Sequence, residues 1–252
     1  MKPNNILILG TAPINAYVAQ WCQTHQVQCQ HTTIDTDTLP ADDTAFKDAI
    51  ESADVIFDTI TGPIDIKKRW TQAIDQLSRP DAIILTSFLH HTVTEISSWC
   101  QDPSRLIGFQ PLHFDSMPVL EIAPGLRTAQ DHLDTMLTFF EQHQKQVEII
   151  QDQVGGVFPR TLSLIANEAI YTLSEQVATK EDIDTAMKKG TNYPLGPLEW
   201  VDKIGLDHVL CILDGLYREC GDDRYRPAPL LKQMVRAGYV GEVSGKGFYD
   251  YA

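Results

Sequence analysis

Apolar positions in the first half of the chain fall in short unbroken runs. Ile6-Leu7-Ile8-Leu9 closes on Gly10, the pattern of a strand buried on both faces and ended by a turn. Val27-Gln28-Cys29-Gln30-His31 predicts a second strand. Further strands are predicted over 55–59, 82–86, 106–109, 119–123 and 147–150. Between the runs the period lengthens. Ile14, Tyr17, Val18 and Trp21 recur at helical spacing within a predicted helix over 13–25, with Pro13 in the first turn, where its missing N–H costs nothing. Helices are also predicted over 44–51, 64–77 and 128–143.

Strands alternating with helices predict a doubly wound, mostly parallel sheet, and the β-α-β opening is that of a dinucleotide-binding half. The pattern changes after Asp152-Gln153-Val154-Gly155-Gly156, a glycine pair that marks a boundary. Beyond it the apolar spacing is helical throughout. Helices are predicted over 157–175, from the N-cap Thr179 to a stop at Gly190, and over 200–204, 208–219 and 229–238. The fold class is therefore an α/β Rossmann-like N-terminal domain, residues 1–151, followed by an all-α C-terminal domain, residues 152–252. The stretch from Thr32 to Ser52 is short and acidic, so the first domain reads as shortened.

Composition narrows the partners. The net charge is −14, and residues 1–60 hold two Lys/Arg against eight Asp/Glu. Such a surface repels nucleic acid and anionic lipid. No run of eighteen apolar residues predicts a membrane span, and the first residues show no apolar signal segment. The five cysteines, at 22, 29, 100, 211 and 220, lack CxxC spacing, which fits a reduced cytoplasmic chain. His90-His91, His113 and Cys100 lack metal-ligand spacing, so no metal is expected.

The last hundred residues carry the most specific signal. Glu168-Ala169 and Glu181-Asp182-Ile183-Asp184 precede Thr191-Asn192-Tyr193-Pro194-Leu195-Gly196-Pro197-Leu198-Glu199-Trp200-Val201-Asp202, and the chain closes with Gly245-Lys246-Gly247-Phe248-Tyr249-Asp250-Tyr251. In order and spacing this series resembles the C-terminal domain of the 3-hydroxyacyl-CoA dehydrogenase family. Pro159-Arg160, Asn192-Tyr193-Pro194 and Leu198-Glu199-Trp200 also resemble the C-terminal module of 3-hydroxyadipyl-CoA dehydrogenases. The resemblance implies acyl-CoA metabolism, NAD as cofactor, and a helical domain that pairs with its copy in a homodimer.

The resemblance also implies site residues. A dinucleotide fingerprint needs three small positions after the first strand. Here they hold Gly10, Ala12 and Asn15. Ala12 adds a methyl group beside the pyrophosphate, and Asn15 puts an amide where helix and strand pack closely. The ribose-holding acid at the end of the second strand is replaced by His31. His31 could meet a 2′-phosphate, but no Arg or Lys follows it in Thr32-Thr33-Ile34-Asp35, and a solvated strand-end residue is the plainer reading. Weakened NAD binding is expected.

The family oxidises a 3-hydroxyl with a His base oriented by a Glu, while Ser and Asn hold the substrate oxygen. In Gly108-Phe109-Gln110-Pro111-Leu112-His113 the base position is Gln110, whose amide has no useful basicity. Glu121 matches the family Glu. His113 is an alternative base if the segment carries an insertion; otherwise it is a loop histidine. The serine position falls near Leu89 or His90, and the asparagine position is Pro159. Three readings follow: an NAD-dependent 3-hydroxyacyl-CoA dehydrogenase with an altered site, a non-catalytic dimeric module that binds acyl-CoA or a partner enzyme, or a structural dimer with no ligand.

Overall fold

The structure is a computed structural model that describes residues 3–35 and 43–251. It separates into two compact units, residues 1–156 and 157–252. The first contains β1 (Ile6–Gly10), α1 (Ile14–Thr24), β2 (Cys29–Thr33), α2 (Thr44–Ser52), β3 (Val55–Asp58), α3 (Ile64–Leu77), β4 (Ile83–Ser87), α4 (Val93–Ser97), β5 (Leu106–Phe109), β6 (Val119–Pro124), α5 (Gln130–Gln142) and β7 (Gln146–Ile149). The seven strands form one sheet in the order β2-β1-β3-β4-β5-β6-β7. All neighbours are parallel except β5 and β6.

Alternation along the strands builds two cores. Ile6, Ile8, Val55 and Phe57 face a cluster with Val18 and Trp21 of α1 and Phe139 and Phe140 of α5. Leu7, Leu9 and Ile56 face the other, with Phe46 of α2 and Trp70 and Ile74 of α3. That explains the unbroken apolar runs, since strands covered on both faces have no solvent side. The edge strands β2 and β7 are largely exposed and polar, which discourages pairing with another chain.

Three details differ from the sequence pattern. Strand β2 runs on to Thr33, because the β-branched Thr32 and Thr33 keep pairing with β1 and Ile34 N–H donates to the Gly10 carbonyl (3.0 Å). Helix α4 was not predicted. Its signal is Thr92-Val93-Thr94-Glu95, with the Thr92 hydroxyl capping Glu95 N–H at 3.1 Å. Residues 152–156 belong to the sheet unit: the Asp152 carboxylate accepts from Val93 N–H (2.6 Å) and Thr94 N–H (2.8 Å). The centre of the shortened acidic stretch, residues 36–42, lies outside the described residues.

The second unit contains α6 (Phe158–Ser174), α7 (Lys180–Thr191), α8 (Pro197–Ile204), α9 (Leu206–Cys220) and α10 (Pro229–Arg236). Helix α7 continues through Gly190 and ends at Asn192 in the left-handed conformation (φ +58°). Asparagine tolerates that conformation, so it supplies the stop expected of the glycine.

Two buried carboxylates organise the unit. Asp184 of α7 accepts from Leu198 N–H (2.9 Å), Glu199 N–H (3.1 Å) and the Tyr249 hydroxyl (2.9 Å). It caps α8 from another helix, where the N-cap residue, Gly196, has no side chain to do so. A side chain at Gly196 would collide with Asp184. Asp202 of α8 accepts from Phe248 N–H and Tyr249 N–H (2.8 Å each) and the Tyr251 hydroxyl (3.0 Å). A side chain at Gly247 would fill the space this carboxylate occupies. Burial raises both carboxyls above their ordinary value, against the pull of these donors. The C-terminal motifs are thus partners of one another. Among the described residues, no helix is long and apolar enough to cross a membrane.

Candidate active site

The carboxyl ends of β1, β2 and β3 meet around Gly10, where strand order reverses and ligands of doubly wound sheets bind. Gly10 has φ +154°, and a side chain there would strike Thr59, which donates to Leu9 O at 2.9 Å. Close approach of β1 and β3 therefore needs glycine. The chain then passes Thr11, Ala12 and Pro13 and enters α1, whose N-terminus favours anionic ligands. Pro13 removes one of the N–H groups that such an end can offer.

Asn15 is fully buried, and it fits where the sequence suggested crowding. Its amide donates to Gly10 O (2.9 Å) and the Thr33 hydroxyl (3.2 Å), tying the turn to the end of β2. Its Oδ1 has no hydrogen-bond partner among the described residues, and neither has the buried Ser87 hydroxyl at the carboxyl end of β4.

His31 lies in the middle of β2, opposite Ile8, and is exposed. It does not end the strand, because pairing continues to Thr33. The acid nearest that end is Asp35, which lines a cavity of about 560 Å³ with Thr32, Thr33 and Asp43. Sequence reading missed Asp35 because it assumed a strand ending at His31.

Gln110 follows β5, and its N–H donates to Glu121 O of β6 at 3.0 Å. The structure thus sets Gln110 and Glu121 opposite one another. The Gln110 side-chain oxygen accepts from Leu112 N–H and so braces its own loop. Glu121 packs against Gly156, which has φ +64°. His113, in the same loop with φ +51°, is buried against Tyr17 of α1, ring centroids 4.9 Å apart.

Lys145 clamps this loop from the other side. Its ammonium donates to Phe114 O (2.5 Å) and Met117 O (2.6 Å). Burial lowers its pKa to about 8, with Asp115 pulling the other way. A lysine isolated in sequence before a strand gave no sign of this role. Leu89 is buried, and His90 Nδ1 lies 2.5 Å from Gly62 O. Pro159 is buried in the first turn of α6. Among the described residues, no group of three or more His, Cys, Asp or Glu could hold a metal ion.

A glycine turn feeding a helix N-terminus at the reversal point of a mostly parallel sheet, with a separate helical unit after it, is the architecture of a dinucleotide-binding type of domain joined to an all-helical one. Comparison with known proteins gives the family. Residues 9–153 match the 3-hydroxyacyl-CoA dehydrogenase NAD binding domain, and residues 155–251 match that family's C-terminal domain. The chain belongs to the 3-hydroxyacyl-CoA dehydrogenase family, a family of NAD-dependent enzymes, and its cofactor is accordingly NAD.

The chain is 37% identical over 205 residues to a probable 3-hydroxybutyryl-CoA dehydrogenase of Bacillus subtilis (strain 168), covering 80% of this chain and 70% of that protein. It is also 37% identical over 205 residues to a 3-hydroxybutyryl-CoA dehydrogenase of Clostridioides difficile, covering 80% and 72%. In structure it is similar to (S)-3-hydroxybutyryl-CoA dehydrogenase from Ralstonia eutropha, with a TM-score of 0.80, 26% identity and full coverage of both chains.

Proposed function

We propose that this protein is a cytoplasmic homodimer that binds NAD and an acyl-CoA-type small molecule, and that it oxidises 3-hydroxyacyl-CoA far more slowly than relatives with a histidine base. The observation carrying this reading is Gln110. It stands opposite Glu121 across β5 and β6, and its oxygen is engaged by Leu112 N–H.

NAD, when bound, supplies a nicotinamide ring that accepts hydride. The residues suited to hold it are Gly10 and Ala12 in the turn, Asn15 behind them, and Thr33 and Asp35 toward the ribose. Oxidising a 3-hydroxyl also requires a proton acceptor in reach of that hydroxyl. An amide at Gln110 can orient the hydroxyl but cannot take its proton. Pro159, at the position where the family resemblance puts an asparagine, has no side-chain donor. Glu121 retains a carboxylate in the strand pair.

Dimerisation is supported by the helical unit. Leu162, Ile212, Leu213 and Leu231 are consumed by its core. Leu164 and Ile165 of α6 are only half-buried, and they line an apolar groove of about 650 Å³ with Ala169, Ile183 and Met187. A second copy covers such a face by two-fold pairing. Sedimentation at micromolar concentration should give twice the chain mass.

The deciding assay is NADH formation from 3-hydroxybutyryl-CoA. The rate should fall roughly 10²–10⁴-fold below that of a family member with a histidine base, the usual worth of general-base assistance. Robust turnover overturns the proposal. A second reading rests on His113, the histidine seated on Tyr17 three residues beyond Gln110. If turnover is robust, is lost in His113→Ala and survives in Gln110→Ala, then His113 is the base.

A further inference from the structure

His90 joins two loops at the carboxyl edge of the sheet. It lies three residues beyond β4, and its Nδ1 is 2.5 Å from the carbonyl oxygen of Gly62, four residues beyond β3. A carbonyl oxygen only accepts, so Nδ1 carries the proton of the neutral ring. The basic lone pair is then on Nε2, and a ring held this way presents a base at that nitrogen. The ring is half-buried and packs on His91, with centroids 4.6 Å apart. His91 is itself buried, with Nδ1 3.0 Å from the Glu95 carboxylate.

The topology brings this ring to the same edge as Gln110. Strands β4 and β5 are parallel neighbours with Ser87 opposite Phe109, so the residues that follow both strands emerge together. Gln110 is the first of them after β5. Neighbouring strands lie about 4.8 Å apart, and three residues of chain span at most about 10 Å, so one small molecule can touch both side chains. Phe88, the first residue after β4, and the Glu121 carboxylate crowd the same point, where a side chain on Gly156 would sit. The far end of the His90 loop is pinned by Asp152, which accepts from Val93 and Thr94 N–H.

We propose that His90 is the general base of this chain, and that its slow oxidation of 3-hydroxyacyl-CoA runs through His90 Nε2. Given that the chain binds NAD and such a substrate, the reading on which this rests, Nε2 takes the proton of the 3-hydroxyl. The C3–H bond breaks at the same time, and its hydrogen leaves with both electrons for NAD. The electron pair of the broken O–H bond closes the ketone. C3 is oxidised by two electrons, NAD is reduced by two, and the imidazolium passes its proton to solvent. The Gly62 carbonyl orients the ring, but a neutral carbonyl stabilises an imidazolium less than a carboxylate does. A base held this way is therefore slower than a histidine paired with a glutamate.

Histidine side-chain nitrogen NMR on the full-length protein tests the tautomer without turnover. The His90 signals, assigned by their loss in His90→Asn, should show a protonated Nδ1 and an unprotonated Nε2 at about pH 8, where an ordinary histidine is neutral. The Nε2 signal should shift when 3-hydroxybutyryl-CoA is added. The asparagine variant keeps an N–H donor for Gly62 O but has no base. His90→Asn should therefore bind NAD within about twofold of wild type by calorimetry, yet oxidise 3-hydroxybutyryl-CoA about a hundredfold more slowly. Imidazole in solution should raise the turnover of His90→Ala, a rescue that a purely structural role does not allow. An Nε2–H tautomer, or wild-type turnover in His90→Asn, overturns the proposal. Robust wild-type turnover that His90→Asn abolishes overturns the low-activity reading and keeps His90 as the base. A wild type with no turnover at all overturns His90 and keeps that reading.

Discussion

The two units bury carboxylates in different ways. In the sheet unit, Asp58 sits at the end of β3 with the Lys67 ammonium at 2.7 Å, both side chains essentially without solvent. Ile60 N–H and the Thr86 hydroxyl complete its shell at 3.1 and 2.7 Å. In the helical unit, Asp184 and Asp202 are held by backbone N–H groups and tyrosine hydroxyls. In the charge pair the desolvation shows on the cation: burial lowers the Lys67 pKa, against the pull of Asp58. A carboxylate held by dipoles meets the desolvation itself, and both helical-unit carboxyls are raised. The first arrangement fails when either charge is removed. The second depends on glycines that leave room for the acid.

The largest effect expected is on the charge pair. Lys67→Met should cost about 3–5 kcal/mol in denaturant unfolding, because it leaves Asp58 buried without its counter-ion. The double variant Lys67→Met with Asp58→Leu should recover most of that loss. If the single variant costs under about 1 kcal/mol, the pair is not what makes this carboxylate tolerable, and the contrast between the units collapses.

Asp202→Ala comes next. It leaves three donors without their acceptor, for an expected cost of about 2–4 kcal/mol. Gly247→Ala should cost a similar amount by pushing the carboxylate off its donors, although it deletes nothing. Equal losses in the two variants support the cradle. A harmless Gly247→Ala would show that the C-terminal turn can move aside.

Much of this was legible in the sequence, and the boundary lies between pattern and partner. The helix over 64–77 was read to the residue, because its apolar spacing and Leu77-Ser78-Arg79-Pro80 leave little choice. The C-terminal motifs identified the family. That Gly196 and Gly247 make room for Asp184 and Asp202 was not legible, since those partners lie 12 and 45 residues away. Gln110 was visible as a lost base, but its role in bracing Leu112 needed the loop. Asn15 read as an obstruction because a one-dimensional fingerprint does not show an amide finding Gly10 O and Thr33. His31 was misplaced because edge-strand pairing, not apolar content, decides where β2 ends.

Lys145 extends the comparison to a buried cation held by dipoles. Two carbonyls and the face of Phe114, 4.7 Å away, receive it. With its pKa lowered to about 8, the folded protein releases this proton before the unfolded chain does. Between about pH 8 and pH 10.5 the unfolded state therefore binds more protons, and Lys145 contributes increasing stability as pH rises. The stability gap between wild type and Lys145→Met should move in favour of wild type by roughly 1–3 kcal/mol across that window. A pH-independent gap would mean that the ammonium is better solvated than its burial indicates.

The smallest effects expected are at the cofactor edge, where they test which residue of the β2 end matters. Asp35 lines the cavity beyond Thr33, whereas His31 is exposed at the level of Ile8. A carboxylate that accepts from ribose hydroxyls contributes about one charged hydrogen bond. Asp35→Ala should therefore weaken NAD binding about tenfold, the equivalent of about 1.4 kcal/mol. His31→Ala should change it by less than about twofold, because an exposed mid-strand ring has no ligand to lose. Calorimetric titration of both variants separates the two placements. If His31→Ala shows the tenfold loss and Asp35→Ala does not, β2 ends earlier when NAD is bound, and the strand-end position belongs to His31 after all.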